Sequence, residues 1–186
     1  RDTLGGVKPS SQITSTANAR FRALREALRP SGEQRAYTLL AGAKLIETWA
    51  AARTAAGARL TPELWLSVGG VSPSPRIRSL DLEAWEVSEK VMAALTEAVS
   101  PPDVAMVVKV GPDSTGPLLD LVIAPWGIQD PGNLGAIFRS AAAFGFQEAL
   151  LGPGCADPFS PKALRGSMGA AFLLPLGDSL PVLTID

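Results

Sequence analysis

The sequence of 186 residues contains no histidine and a single cysteine, Cys155. Without histidine, the chain can build neither a Ser-His-Asp or Cys-His catalytic centre nor a metal site with imidazole ligands. One cysteine excludes an intrachain disulfide framework and a cysteine-rich zinc site, and we expect no bound metal. Long apolar runs are also lacking. The longest fall well short of the roughly 20 residues that a transmembrane helix requires, so we expect no membrane partner.

The residues that are present suffice for a folded protein. Hydrophobic residues make up 46% of the chain and charged residues 19%, with a mean hydropathy of +0.18, which excludes disorder of the whole chain. The length allows one domain or two small ones. Residues 1–6 contain no apolar stretch that a signal peptide would need. We expect a soluble cytoplasmic protein, and because Arg1 is not Met we do not expect it to be the translated N-terminus.

The net charge of −1 hides an uneven distribution along the chain. Residues 1–60 carry 10 Lys/Arg against 4 Asp/Glu, a net charge of +6, whereas the remainder is acidic. Such a basic segment indicates either a polyanionic partner or the solvated face of a helix.

The first 110 residues alternate between helical and strand-like patterns. They predict a flexible arm at 1–11 and an α/β unit at 12–110. The first helix is predicted to run from a cap at Ser15 or Thr16 to Leu28, with one apolar face. Four arginines fall largely off that face: Arg20, Arg22, Arg25 and Arg29. The other predicted elements are helices at 42–56 (ended by Gly57) and 88–98, strands at 64–68 and 104–110, and a loop at 69–75.

Residues 111–117 are rich in glycine, proline and hydroxyl side chains and predict a linker. From residue 118 to 186 the pattern alternates strand, helix, strand, helix and strand, which is typical of a parallel sheet. The predicted elements are strands at 118–124, 148–151 and 170–174 and helices at 133–144 and 160–167. Gly145 is expected to end the first of these helices, and Ser160 to cap the second.

The loop at 126–135 joins a predicted strand to a predicted helix and concentrates glycines around Asp130 and Asn133. At the carboxyl end of a parallel strand such a loop lies where ligands bind, and small residues let a ligand approach. The spacing matches neither a Walker A loop nor a GxGxxG fingerprint. Two interpretations stay open, a ligand-binding loop or a glycine-rich turn in which Asn133 only caps the helix.

Arg139 lies one helical turn after Gly135, away from the predicted apolar stripe. It is either solvated or reaches across Gly135 toward the loop, where a guanidinium suits a phosphate or a developing oxyanion. Lys162 and Arg165 share one face of the following helix, as they also would in an ordinary surface helix. Cys155 has no base near it in the sequence, and we interpret it as a bystander.

Two segments together resemble the SpoU/TrmH family of RNA 2′-O-ribose methyltransferases. The first runs from Gln129 through Asn133 and Arg139 to Gly145, and the second covers residues 160–170. The upstream part is similar to that family's substrate-binding domain, a ribosomal-protein-like α/β fold that binds RNA. The residues that carry this second likeness are Ile13, Thr14, Ser15 and Asn18, together with 41–46.

The resemblance implies a SPOUT fold, in which a knotted α/β catalytic domain works as a homodimer. It implies methyl transfer from S-adenosylmethionine to a ribose 2′-hydroxyl of rRNA or tRNA, with Asn133 and Arg139 as catalytic residues. Since guanidinium stays protonated, we interpret Arg139 as binding phosphate and stabilising the 2′-oxyanion, and Asn133 as holding the loop or the ribose. The implied RNA-binding residues are Arg20, Arg22, Arg25, Arg29, Lys44, Lys162 and Arg165.

Two later motifs of the family, which form most of its knot and cofactor pocket, are not found before Asp186. We therefore expect an N-terminal portion of such an enzyme, with residues 118–186 as the first part of its catalytic domain and an incomplete cofactor pocket. Two other functions stay open. One is an RNA-binding module without chemistry, and the other is an unrelated nucleotide-binding α/β domain.

Overall fold

The computed structural model describes residues 11–29, 35–52, 60–111 and 120–177. The chain divides into two compact units, one comprising most of the described residues up to Val110 and the other those from Gly111 onward. The predicted arm up to residue 10, the predicted helix end at Gly57 and linker residues 112–117 lie outside the described residues. Within the described ranges, no helix is both long and apolar enough to cross a membrane.

The first unit is built on a five-stranded mixed sheet with the strand order β1-β4-β3-β5-β2. Strands β1, β4 and β3 are parallel, and β5 runs antiparallel to both β3 and β2. In chain order the elements are β1 Ser11–Ile13, α1 Ala19–Leu28, β2 Tyr37–Ala41, α2 Ala43–Ala52, β3 Leu60–Ser67, α3 Pro75–Arg78, β4 Glu83–Val87, α4 Glu89–Thr96 and β5 Val104–Val110.

The main apolar cluster of this unit lies on one face of the sheet, where β3 contributes Leu64 and Leu66. Alternate strand residues share a face, so the intervening Trp65 points to the other side. Phe21 of α1 and Met92 of α4 are buried in the cluster. The predicted apolar face of the first helix is thereby confirmed, with two further residues packed half-buried against the cluster, Leu24 and Leu28.

Helix α1 begins later than the sequence predicts. Asn18 caps it, because Asn18 Oδ1 accepts a hydrogen bond from the N–H of Arg20 at 2.8 Å. The prediction of Ser15 or Thr16 as the cap was wrong. The Ser15 hydroxyl instead accepts the N–H two residues ahead, at 3.2 Å, and this local turn takes the side chain away from the helix.

The longer elements with strong hydrophobic periodicity are found near their predicted places. Strand β5 spans Val104–Val110 as predicted, and β3 begins at Leu60, four residues before its predicted start. Ser88 caps α4 and accepts the N–H of Val91 at 3.3 Å. Strands β1, β2 and β4 have no counterpart in the prediction, since they are short and lack a clear alternation of apolar and polar residues.

The second unit contains a three-stranded parallel sheet with the order β6-β7-β8, which confirms the predicted parallel sheet. Helices follow β6 and β7, as the alternating pattern requires. The elements are β6 Val122–Ile123, α5 Pro131–Ala143, β7 Glu148–Leu150, α6 Pro161–Ser167, a 3-10 helix Ala170–Phe172 and β8 Leu176–Gly177. Ser160 caps α6 as predicted, accepting the N–H of Ala163 at 3.3 Å.

The prediction of a strand at 170–174 was wrong. The chain leaves α6 through two consecutive left-handed residues, Met168 at φ +51° and Gly169 at φ +90°. It then continues in a 3-10 turn, in which the N–H of Phe172 donates to Gly169 O at 3.0 Å. A short buried apolar run does not by itself distinguish a strand from a helical segment, and the third strand follows at Leu176–Gly177.

Gly145 terminates helix α5 as predicted, two residues after the last helical residue Ala143. The N–H of Phe146 donates to Ala141 O at 3.0 Å and that of Gly145 to Ala142 O at 3.2 Å, the pair of bonds that defines a Schellman motif. Ile137, which lies between the buried Leu134 and Phe138 on α5, is only half-buried. It belongs instead to an open apolar groove of about 370 Å³, whose lining residues are Ile123, Ala136, Ile137, Ser140, Ala141, Phe144 and Phe146.

Candidate functional site

Two loops meet at the carboxyl edge of the second sheet, one after β6 and one after β7. The N–H of Gly127 donates to Pro153 O at 3.1 Å, and the N–H of Gly152 donates to Pro125 O at 2.8 Å. A third bond runs from the N–H of residue 156 to the carbonyl of residue 128, at 2.8 Å. The loops therefore hold each other in the position where open parallel sheets bind ligands.

The glycines of these loops serve different purposes. A Cβ at Gly127, which has φ +66°, would meet no heavy atom within 4 Å, so this glycine borders open space. A Cβ at Gly152 would lie 2.7 Å from Cδ2 of the Trp126 ring. Gly152 is therefore needed for close contact with this indole, whose residue remains 54% exposed. An exposed tryptophan at a ligand-binding edge is a functional candidate that sequence reasoning missed.

Asp130 caps helix α5. Its Oδ1 accepts the N–H of Asn133 at 2.9 Å, so the interpretation of Asn133 itself as the cap was wrong. Asn133 lies at the third helical position with its residue exposed. The signal for Asp130 was available in the sequence, since a short acidic side chain directly before Pro131 is typical of a cap followed by proline at the first helical position.

Asp130 also forms an ion pair with Lys162, the second residue of α6. The Lys162 ammonium lowers the pKa of the Asp130 carboxyl, and the backbone N–H of Asn133 lowers it further. Lys162, predicted to bind RNA, is therefore already engaged by a carboxylate. The pair joins the first turns of α5 and α6, which carry the two segments of the family resemblance.

Glycine also brings helices α5 and α6 into close contact. A Cβ at Gly135 would lie 2.7 Å from Ser167 N and 2.9 Å from Gly166 C, and it would also overlap Ala163 O. Gly135 is buried, so it serves helix packing and does not open a path to a ligand. Of the two alternatives left open for Arg139, the one in which it reaches across Gly135 to the loop is therefore wrong.

Arg139 instead extends toward the end of α6. Its Nη1 lies 3.4 Å from Sδ of Met168, and both residues are exposed. Six residues separate Arg139 from Asn133, so at 3.6 residues per turn their side chains leave α5 about 120° apart. The described part of the chain contains no hydrogen bond between them. Arg139 also forms no ion pair with any carboxylate in that part.

The remaining predicted residues of the second unit are not brought together. Arg165 is exposed on α6. Cys155 is half-buried, and its thiol donates to Pro125 O at 3.3 Å. This contact links the loop after β7 to the loop after β6, so Cys155 has a structural role. Within the described ranges, no group of three or more acidic or cysteine side chains could hold a metal ion.

The basic residues of the first unit differ in their surroundings. Arg20 bonds the Ser11 hydroxyl, lies 3.9 Å from Glu83 Oε1 and stacks 5.9 Å from the Trp85 ring centroid. It therefore ties α1 to β1 and β4.

The other three arginines, two on α1 and Arg29 directly after it, are exposed. Arg29 pairs with Glu26 at 3.0 Å, whereas Arg22 and Arg25 have no partner among the described residues. Lys44 lies on α2. Ile46, a buried residue of that helix, does not belong to the main apolar cluster against which α1 packs. Within the first unit, the predicted RNA-binding residues thus form separate groups.

Fold and loops together define an α/β protein with a candidate ligand-binding edge on its second unit. Residues 120–180 match the model of the SpoU rRNA methylase family. An uncharacterized tRNA/rRNA methyltransferase of Synechocystis is 33% identical over 178 residues, covering 93% of this chain and 65% of that protein. The matched segment, residues 120–180, belongs to the SpoU rRNA methylase family.

Solved structures are similar over both units. The crystal structure of an RNA 2′-O ribose methyltransferase superposes with a TM-score of 0.70 at 29% identity, covering 90% of this chain and 65% of that one. The SpoU methyltransferase AviRb from Streptomyces viridochromogenes, in complex with the cofactor AdoMet, gives 0.67 at 25% identity, with 87% and 63% covered. The α/β fold class predicted from the sequence is thereby confirmed. The chain spans about two thirds of the length of these relatives.

Proposed function

We propose that this chain belongs to an enzyme that transfers a methyl group from S-adenosylmethionine to a ribose 2′-hydroxyl of rRNA or tRNA. The observation that carries the proposal is Arg139, an exposed guanidinium without a carboxylate partner in the described residues, on the helix that follows the β6 loop. The family assignment and the relatives' names, which specify RNA methylation, support the same reaction.

The loops after β6 and β7 suit one wall of a nucleoside-binding site. Gly127 borders open space, so those peptide groups of residues 126–128 and 152–155 that do not join the two loops would be available to hold the cofactor. When bound, S-adenosylmethionine supplies an electrophilic methyl group. We expect the 186-residue chain to bind it weakly, with a dissociation constant above the low-micromolar range, which corresponds to about −8 kcal/mol. Calorimetry tests this, and a low-micromolar dissociation constant would show that the two loops suffice to hold the cofactor.

Arg139 is proposed to act on RNA without acting as a base. Guanidinium stays protonated at any physiological pH, so it can bind a phosphate and stabilise negative charge that develops on the 2′-oxygen. Asn133 is proposed to hold the loop or the ribose through its exposed amide. Because the two side chains diverge on α5, we assign them to different parts of one nucleotide.

The first unit is proposed to be the RNA-binding domain, with residues 111–117 as its linker to the catalytic domain. Arg22 and Arg25 are the strongest candidates, since both are exposed and have no partner in the described residues. Arg20 and Arg29 are expected to contribute less, because each already contacts a carboxylate. Secondary contacts are proposed for Lys44, Lys162 and Arg165. A homodimer and a cytoplasmic location complete the proposal.

The test of the reaction uses the longest natural form of the protein that contains these residues. Label from tritiated S-adenosylmethionine should enter RNA and survive alkali in dinucleotides, since a 2′-O-methyl group blocks cleavage of the adjacent phosphodiester. Label in mononucleotides would indicate base methylation and would contradict the ribose assignment. Lys109→Ala, which removes an exposed cation of β5 outside the proposed site, is the matched control.

Arg139→Ala should lower single-turnover methyl transfer by about a hundredfold or more, the usual scale for losing an oxyanion-stabilising group. Stability should change by no more than about 0.5 kcal/mol, since the residue is exposed. Arg139→Lys should recover little, because an ammonium cannot reproduce the planar fork. Full activity of Arg139→Ala would refute the catalytic role, and a large fall in melting temperature would make Arg139 structural.

A second candidate is RNA binding without chemistry, which the exposed arginines of α1 favour because they lie on a unit that contains neither Arg139 nor the loops. Arg22→Ala combined with Arg25→Ala should weaken RNA binding and reduce the slope of log K against log salt by about 0.7–0.9 per lost contact. Binding that depends on these residues, in a protein that transfers no label, would support this second function. An unchanged slope would make both arginines ordinary solvated residues.

A further inference from the structure

We propose that Met168 is a positioning residue for Arg139, and this inference rests on the proposed function of that arginine. The thioether accepts from the guanidinium and holds it at the end of α6. The contact is the 3.4 Å distance between Arg139 Nη1 and Met168 Sδ, which joins side chains 29 residues apart.

The backbone of Met168 supports this assignment. Its φ of +51° is left-handed, one of three such values at non-glycine residues in the described part of the chain. The conformation costs a side-chain-bearing residue more than it costs glycine. Asp81 and Glu97 share this conformation, but of the three only Met168 also contacts the proposed catalytic arginine.

The surrounding structure fixes this backbone firmly. The N–H of Met168 donates to Arg165 O at 3.1 Å, and the N–H of Gly169 donates to Ser167 Oγ at 3.3 Å. The buried Ser167 hydroxyl in turn donates to Leu164 O at 3.0 Å. Residue 167 also packs against Gly135 of α5. The Met168 side chain therefore starts from a defined point next to the helix that carries Arg139.

The chemistry of sulfur explains why methionine suits this position. A thioether is a neutral, weak acceptor, so it can orient one N–H of the guanidinium without neutralising the positive charge. A carboxylate in the same place would form an ion pair and compete with the RNA for the arginine. The contact to Sδ also occupies only one of the five N–H donors and leaves the others available for phosphate or an oxyanion.

The first test is spectroscopic and needs no activity. Guanidinium signals of Arg139 in nitrogen-15 NMR spectra of the 186-residue chain should show slowed rotation about the terminal bonds, and Met168→Leu should abolish this slowing. The side chain of leucine is apolar and similar in size but has no acceptor. Arg165, exposed on α6, is the internal control and should be unchanged. Identical Arg139 signals in the two proteins would overturn the proposal.

The second test separates positioning from stability in the natural enzyme. Met168→Leu should lower kcat about 3- to 10-fold with KM unchanged, the scale of one weak hydrogen bond. Met168→Gln, which restores an acceptor, should recover most of this loss. Met168→Gly should lower kcat as much as Leu while the melting temperature stays level or rises, because the left-handed strain is removed.

The outcomes distinguish the two proposals. If Arg139→Ala retains full activity, the proposed function of Arg139 fails, whatever the spectra show. If Arg139→Ala is inactive but Met168→Leu keeps the wild-type kcat, the catalytic role stands and the positioning role is overturned. If activity follows the melting temperature across the Met168 variants, Met168 is structural and the proposal is likewise overturned.

Discussion

Replacing Gly135 by alanine should destabilise the second unit, although alanine is the better helix former. A Cβ at this position would lie 2.7 Å from Ser167 N and 2.9 Å from Gly166 C, and it would overlap Ala163 O as well. These three atoms are backbone of a single helix, so no side chain can turn aside to admit the methyl group. Helix α6 must move away from α5 as a whole.

The magnitude follows from two opposing contributions. An extra carbon forced into a packed interior costs about 1–3 kcal/mol, and backbone neighbours place Gly135 at the upper end. Gly-to-Ala substitution within a helix contributes about 1 kcal/mol in the other direction. We therefore expect a net loss of about 2 kcal/mol. For a unit of this size, that corresponds to a fall of roughly 10 °C in melting temperature.

Gly132→Ala is the matched control, since it makes the same substitution three residues earlier in the same helix. The new Cβ would meet Asp130 Oδ1 at 2.9 Å and Lys162 Cε at 3.4 Å, both ends of side chains that can shift. Its stability should stay within about 1 kcal/mol of the wild type.

Urea denaturation, with hydrogen exchange of α5 and α6 amides to identify the unit that opens, measures both variants. A Gly135→Ala protein as stable as the wild type, or a Gly132→Ala protein that is the less stable of the two, would refute this account of the helix contact.

Three further results are expected. Asp130 has a lowered pKa in the folded state. Its contribution to the free energy of unfolding is therefore complete above its ordinary pKa of about 3.9 and is lost as the pH falls through the lower folded value. In pH-dependent urea titrations, Lys162→Met should reduce the amount of stability that is lost in acid. Asn18→Ala should cost about 1 kcal/mol as the loss of a helix cap, whereas Ser15→Ala should cost much less. Gly152→Ala should displace the indole that covers it, and a shift in tryptophan emission without unfolding is the expected signal.

Long elements could be predicted from the sequence because their signals are repeated several times. Strand β5 has seven consecutive residues of strand character, and α5 combines periodic apolar residues with a terminal Gly145. Strand β1 has three residues, too few for any periodicity. Residues 170–172 form a 3-10 helix, although the sequence predicts a strand there. The prediction rested on a short apolar run, and such runs occur in buried strands and in buried helical segments alike.

The location of the candidate site could be predicted from the sequence, but the contacts between its side chains could not. A glycine-rich segment between a strand and a helix locates the sheet edge, and Arg139 lies on the helix that follows, directed toward the end of α6. Its partner Met168 lies 29 residues away, and nothing in the local pattern indicates that they meet. The same holds for Asp130 and Lys162, because a salt bridge between two helices depends on how those helices cross.

The strand order of the first unit has a consequence for synthesis on the ribosome. Strands β1 and β2 are the two edges of the sheet, and their partners come late: Ser11 lies opposite Trp85, and Tyr37 opposite Lys109. Neither early strand can pair until β4 or β5 has left the exit tunnel, and such non-local pairing makes folding slow. Nascent chains that stop before Val110 therefore expose unpaired strand edges, which are sites of aggregation. We expect chaperones that shield apolar segments to remain bound until β5 has emerged.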